Sequence, residues 1–205
     1  MRVFTLLALL ALATAAAAVD YWPDVIGSTF TFVDGIGEIK TVAIEPGQVG
    51  GDVRYDWYSH DEGQNCVGYE EYVFDSGTAS CVALMQSCEG WEQDDIRSLA
   101  PGILYVNDTM NVGDTWTVVT QATIPVTVEL TYVMTVVAAE TITVPAGTFD
   151  TLKLTVYHAQ GLWTRTYWLD SDLGPVKTDL WELESWTGIV TNESLGWGAL
   201  KSLYN

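Results

Sequence analysis

Residues 140–186, ETITVPAGTFDTLKLTVYHAQGLWTRTYWLDSDLGPVKTDLWELESW, read as a succession of antiparallel strands separated by strong turn signals. Val144-Pro145-Ala146-Gly147-Thr148-Phe149 is a turn, because Pro fixes its own φ and Gly supplies a position with φ > 0. From Thr151 to His158 the chain alternates, with Leu152, Leu154 and Val156 on one face and Thr151, Lys153 and Thr155 on the other, the period of a half-buried strand. Gly161 turns the chain into a strand over 162–169, rich in aromatics and Thr. Ser171-Asp172-Leu173-Gly174-Pro175 turns it again into a strand over 176–183. On the first of these, Trp163, Arg165 and Tyr167 share one face and Trp168 takes the other. If the Leu152 face is core, one of the two sets looks into a cavity or into solvent.

Upstream the same grammar continues. Residues 26–32 and 38–44 read as strands around the turn Asp34-Gly35-Ile36-Gly37. Glu45-Pro46-Gly47 and Gly50-Gly51-Asp52 punctuate the chain before a strand over 53–58. Short strands at this spacing indicate an antiparallel sandwich, barrel or half-barrel. The clearest strand runs over 124–138: Val126, Val128, Leu130, Tyr132, Met134 and Val136 lie on one face, suiting a long curved strand that lines a core or cavity. The acidic stretch around 89–99 reads as a surface loop or a short helical turn, ended by Ala100-Pro101-Gly102. Residues 200–204 read as a closing strand.

Ile26-Gly27-Ser28-Thr29-Phe30-Thr31-Phe32 and Val112-Gly113-Asp114-Thr115-Trp116-Thr117-Val118 share one pattern: apolar, Gly, small polar, Thr, aromatic, Thr, apolar. This is either a repeated sheet-opening turn, dividing the chain into similar segments 19–105 and 106–205, or two strands obeying the same local rules.

Residues 1–18 have the form of a cleaved secretory signal: a positive start at Arg2, an apolar run, and Ala15-Ala16-Ala17-Ala18 as the cleavage region. The run is too short to span a bilayer as a helix. Residues 19–205 are then expected as one exported all-β domain, periplasmic or extracellular, without a transmembrane segment. Eight Lys and Arg against 27 Asp and Glu give a net charge of −19, a field that repels phosphate backbones and disfavours nucleic acid. Three cysteines in an exported chain suggest one disulfide and one free thiol. Residues 66–74 and 78–85 form a candidate hairpin folded near Gly77, which would set Cys66 opposite Cys88 and leave Cys81 over, unless a one-residue bulge alters the register.

Four stretches resemble one group of uncharacterised exported bacterial proteins. Asp20-Tyr21-Trp22-Pro23 leading to Gly27 resembles their DYFPL..G opening, Val112-Gly113-Asp114-Thr115-Trp116 their VGDTW, and 143–150 their VTVPAGTFD. Tyr167-Trp168-Leu169 with Gly174-Pro175-Val176-Lys177 resembles their YW...G.VK motif. The resemblance implies an all-β fold similar to half-barrel lipoprotein carriers, and it implies no reaction. Asp170-Ser171-Asp172-Leu173 and the segment from Cys66 to Cys88 depart from the group.

No catalytic motif is legible. Only His60 and His158 offer imidazole bases, with no Gly-x-Ser-x-Gly and no metal-ligand spacing. The anomaly is aromatic: nine Trp and ten Tyr. In strands such residues pack cores or form a concave face that holds a ligand. The expectation is a non-catalytic, cofactor-free binding module for an apolar or carbohydrate ligand, with Trp163, Arg165, Tyr167, Trp168 and Tyr132 as candidate contacts. The alternative is a structural or interaction protein of the envelope or matrix, with an unidentified protein partner.

Overall fold

The computed structural model describes residues 21–61, 64–75, 77–91, 95–107, 109–124 and 126–188. The signal sequence and the strand expected over 200–204 lie outside the described residues. Twelve strands follow one another: β1 Thr29–Val33, β2 Ile39–Pro46, β3 Val53–Asp61, β4 Gln64–Asp75, β5 Thr78–Cys88, β6 Asp95–Val106, β7 Thr115–Ile124, β8 Val126–Val144, β9 Gly147–His158, β10 Trp163–Asp170, β11 Gly174–Thr178 and β12 Glu182–Thr187. Each pairs antiparallel with its neighbours in sequence, and β12 pairs with β1, so the sheet closes into a barrel. Closure gives every strand a neighbour on both sides, although β6–β7 and β11–β12 pair over only three positions and one. Among the described residues there is no helix, so none is long and apolar enough to cross a membrane.

Twelve strands enclose more space than the eight whose lumen ordinary side chains just fill. The aromatic excess answers that geometry. Trp22, ahead of β1, is 3% exposed inside the barrel. It lies against Tyr55 of β3, Tyr72 of β4, Tyr105 of β6 and Tyr167 of β10, with ring centroids 5.4–6.5 Å away. Tyr55 donates its hydroxyl to the carbonyl of Pro23, fixing this entering segment. Gly174 opens β11 with φ +76°, and a Cβ there would stand 2.4 Å from Pro23 Cδ. The segment at Tyr21–Pro23 and the turn into β11 therefore meet in space. Ile103, Leu130, Met134, Val136, Leu154 and Val156 continue the same buried core along the strands between.

The seven-residue pattern at Gly27 and Gly113 carries one hydrogen-bond scheme twice. Gly27 N–H donates to Ile44 O (2.8 Å), Ser28 to Val25 O (3.1 Å), and Ile44 back to Ser28 O (2.9 Å). Gly113 donates to Val136 O (2.8 Å), Asp114 to Asn111 O (3.0 Å), and Val136 back to Asp114 O (2.9 Å). Both glycines have positive φ, 89° and 100°. The following registers match as well, Phe30 opposite Val42 and Trp116 opposite Met134. The barrel thus opens twice in the same way, at β1 and at β7.

Cys66 and Cys88 are disulfide-bonded, and Cys81 is free and buried. The expected pairing holds through a register change. From Asp75↔Thr78 to Tyr72↔Cys81 the ladder, continued unbroken, would set Cys66 opposite Ser87; a bulge between Glu71 and Tyr72 moves it by one residue, to Cys66↔Cys88.

Four expectations are corrected. No helical turn occupies the described part of 89–99; β6 begins at Asp95. Ala100-Pro101-Gly102 does not end a segment but lies within β6. Pro, lacking an N–H, is tolerated there because the β5–β6 ladder skips from Cys81↔Ile103 to Ala83↔Ser98. The strand read over 176–183 is two strands, broken where Thr178 Oγ1 accepts the amides of Leu180 (3.2 Å) and Trp181 (3.0 Å). Val126 and Val128, read as core, are 68% and 37% exposed, because the β7–β8 hairpin runs on past the packed lumen.

Candidate functional site

The lumen keeps a cavity of about 120 Å³ beside Trp22. Its walls come from β1 (Phe30, Phe32), β2 (Lys40, Val42), β3 (Tyr55), β4 (Glu70, Tyr72), β10 (Arg165, Tyr167) and β11 (Pro175, Thr178), with Leu173 and Trp181 from turns. The cavity therefore straddles the seam where β1 meets β12. Two larger hollows, about 400 and 660 Å³, lie outside it. They are shallow and bordered by exposed residues such as Thr141, Asp150, Thr29 and Thr41. Of the three, the lumenal cavity is the least open and the richest in aromatic walls.

Its chemistry is mixed. Glu70 accepts the hydroxyl of Tyr72. Burial pushes the phenols of Tyr72, Tyr105 and Tyr167 well up, so they stay neutral donors at any physiological pH. Burial pushes the Lys40 ammonium down; Glu70 counters this and Arg165 adds to it. Lys40 lies over the Trp57 ring at 4.9 Å and Arg165 over the Trp163 ring at 5.6 Å. The indole Nε1 of Trp22 is buried with no hydrogen-bond partner among the described residues.

The sequence-derived candidates separate into three places. Arg165 and Tyr167 line the cavity. Trp163 and Tyr132 flank His158 instead, since the registers Tyr132↔His158 and Trp163↔His158 align them across β8, β9 and β10. Their ring centroids lie 4.7 and 5.0 Å from the imidazole, and His158 Nδ1 accepts the amide of Gly161 at 3.1 Å. Trp168 occupies the opposite face of β10, under Lys153 (4.7 Å) and Lys177 (5.5 Å), and donates its Nε1–H to Glu140 at 2.5 Å. Sequence reading missed Lys40, Glu70 and Trp22 as wall residues. Lys40 and Glu70 carry the signal of a charge in phase with apolar residues, Val42 and Ile44 on β2 and Tyr72 on β4; Trp22 precedes the first strand and has no periodicity to read.

Among the described residues no three His, Cys, Asp or Glu side chains are grouped to hold a metal ion. Fold and cavity together define a class: a closed twelve-stranded antiparallel barrel with a lumenal pocket at its seam. Comparison with protein-family profiles, curated proteins and solved structures found no match.

Proposed function

We propose that the chain is an exported, non-catalytic binding module whose barrel lumen holds a lipid-like or carbohydrate ligand. The observation that carries this reading is the cavity beside Trp22, walled by Tyr55, Tyr72, Tyr167 and Trp181 within the barrel's hydrophobic core. Binding sites for small molecules are typically enclosed, mostly apolar and equipped with a few fixed polar groups, and this one has that make-up. The disulfide supports an oxidising compartment, as expected of an exported protein. Native mass spectrometry of the protein purified from an exporting host tests the reading. An added, extractable mass on the folded chain is the expected result. A bare chain that also takes up no small apolar probe overturns it.

A further inference from the structure

The six Lys and Arg among the described residues fall into two groups. Four are paired with carboxylates: Arg54 with Asp56 (2.7 Å), Arg97 with Asp95 (2.5 Å), Lys153 with Glu140 (3.7 Å) and Lys177 with Glu182 (2.5 Å). The remaining two, Lys40 and Arg165, make no ion pair among the described residues, and both line the lumenal cavity. In a chain with 27 acids and eight bases, partners for two more cations are abundant. Here the fold instead brings two like charges, 125 positions apart in sequence, to one small, largely aromatic cavity. Like charges sharing a low-dielectric site repel one another unless an anion lies between or beside them. Glu70 is the cavity's single carboxylate, and its charge favours the charged forms of both Lys40 and Arg165, so one anion faces two cations and the cavity keeps a net positive charge.

Deepening the binding-module reading, on which it rests, we infer that the cavity takes a small amphiphilic anion, its carboxylate-type head held by Lys40 and Arg165 and its apolar body against Trp22, Tyr55 and Tyr167. The size of the body follows from the volume. An engineered apolar cavity of about 150 Å³ accommodates benzene, so about 120 Å³ suits one aromatic ring or a short alkyl chain rather than a long acyl tail. Carbohydrate fits less well. Sugar hydroxyls need several side-chain acceptors, and this wall offers one carboxylate already in use. Arg165, more exposed than Lys40, stands on the open side, where a head group enters last.

The test uses the folded, disulfide-bonded chain with two probes of one shape: 3-phenylpropionate and its neutral amide, 3-phenylpropionamide. Titration calorimetry and ligand-observed NMR give both affinities. The carboxylate is expected to bind about tenfold tighter or more, as charge-assisted hydrogen bonds exceed neutral ones. Lys40→Met should abolish that preference while keeping affinity for the amide; Arg165→Gln, on the exposed side, serves the same purpose should the lumenal variant fail to fold. Equal binding of the two probes overturns the anion assignment and leaves the binding module standing. Carboxylate preference that survives both substitutions overturns the assignment to these two residues. Failure of both probes to bind overturns the cavity reading altogether.

Discussion

The amide of Gly51 donates to Glu71 Oε2 at 3.0 Å, and a Cβ on Gly51 would stand 2.8 Å from the Cβ of Glu71, so the glycine and the carboxylate require one another. The same carboxylate accepts Gln48 N–H (2.9 Å) and Val49 N–H (2.9 and 2.7 Å), and Glu71 is fully buried beneath the β2–β3 loop it holds. Glu71→Gln places an NH₂ against amides that need an acceptor, and should destabilise the protein by about 1–3 kcal/mol. A urea midpoint unchanged from wild type would refute this.

The same residue sets part of the acid limb of the stability curve. Burial alone would raise its pKa, but the amides of Gly51, Gln48 and Val49, with the nearby Arg54, hold it below the ordinary carboxylate value. Its contribution is thus complete above the unfolded carboxylate pKa and is lost as pH falls through the lowered folded value. Melting curves of Glu71→Gln should show a shallower loss below about pH 4 than wild type.

His158 acts in a separate pH window. Burial, and secondarily Arg97, lower its pKa, so the folded protein holds the ring neutral. The stability due to this is whole above about pH 6.5 and is lost as pH falls toward the lowered folded value. Wild type should lose melting temperature between pH 7 and 5. His158→Phe, which preserves stacking on Tyr132 and Trp163, should lose less over the same interval. Parallel curves would count against the assignment.

Cys81 is 1% exposed, and burial, followed by the charge of Glu70, raises its thiol pKa well above the ordinary value. A neutral, inaccessible thiol does not alkylate. Iodoacetamide should add nothing to the native chain, one label in denaturant without reductant, and three with reductant. Rapid native labelling would show that the β5 wall opens.

Leu162 has φ 52° and is 79% exposed in the β9–β10 turn. An L-residue pays about 1–2 kcal/mol for that conformation, and the solvent-facing side chain recovers little by packing. Leu162→Gly should therefore stabilise by about 0.5–1 kcal/mol, after the entropy cost of glycine. A rise of a few degrees in melting temperature checks it; a fall would place the side chain in a contact that matters.

Alternation and turn chemistry are local, and most strands were legible for that reason: β9 from Leu152, Leu154 and Val156, β10 from its Trp and Thr spacing. The errors fall where a local rule meets a non-local arrangement. Pro101 reads as a breaker, and only the skipped rungs between β5 and β6 make room for it. Val126 obeys the period of its strand but runs beyond the core. The site was half legible. Arg165 and Tyr167 were found because aromatics cluster beside them, whereas Lys40 and Glu70 belong to strands whose phase is plain but whose approach to β10 depends on closure of the barrel. Trp163 and Trp168 carry the same composition signal and stand elsewhere, since residue type does not report which rung a side chain occupies.

The cavity wall draws on β1 to β4 and on β10 and β11, and on none of the strands between. As the chain is made, the first portion of the wall exists long before the last, separated from it by β5 to β9. Lys40 meets Arg165 only when the final strand finds the first. Occupancy of this chamber would thus be a signal of completed assembly, and any molecule held there would bridge the first four strands to β10 and β11, tying the two ends of the chain together across the seam.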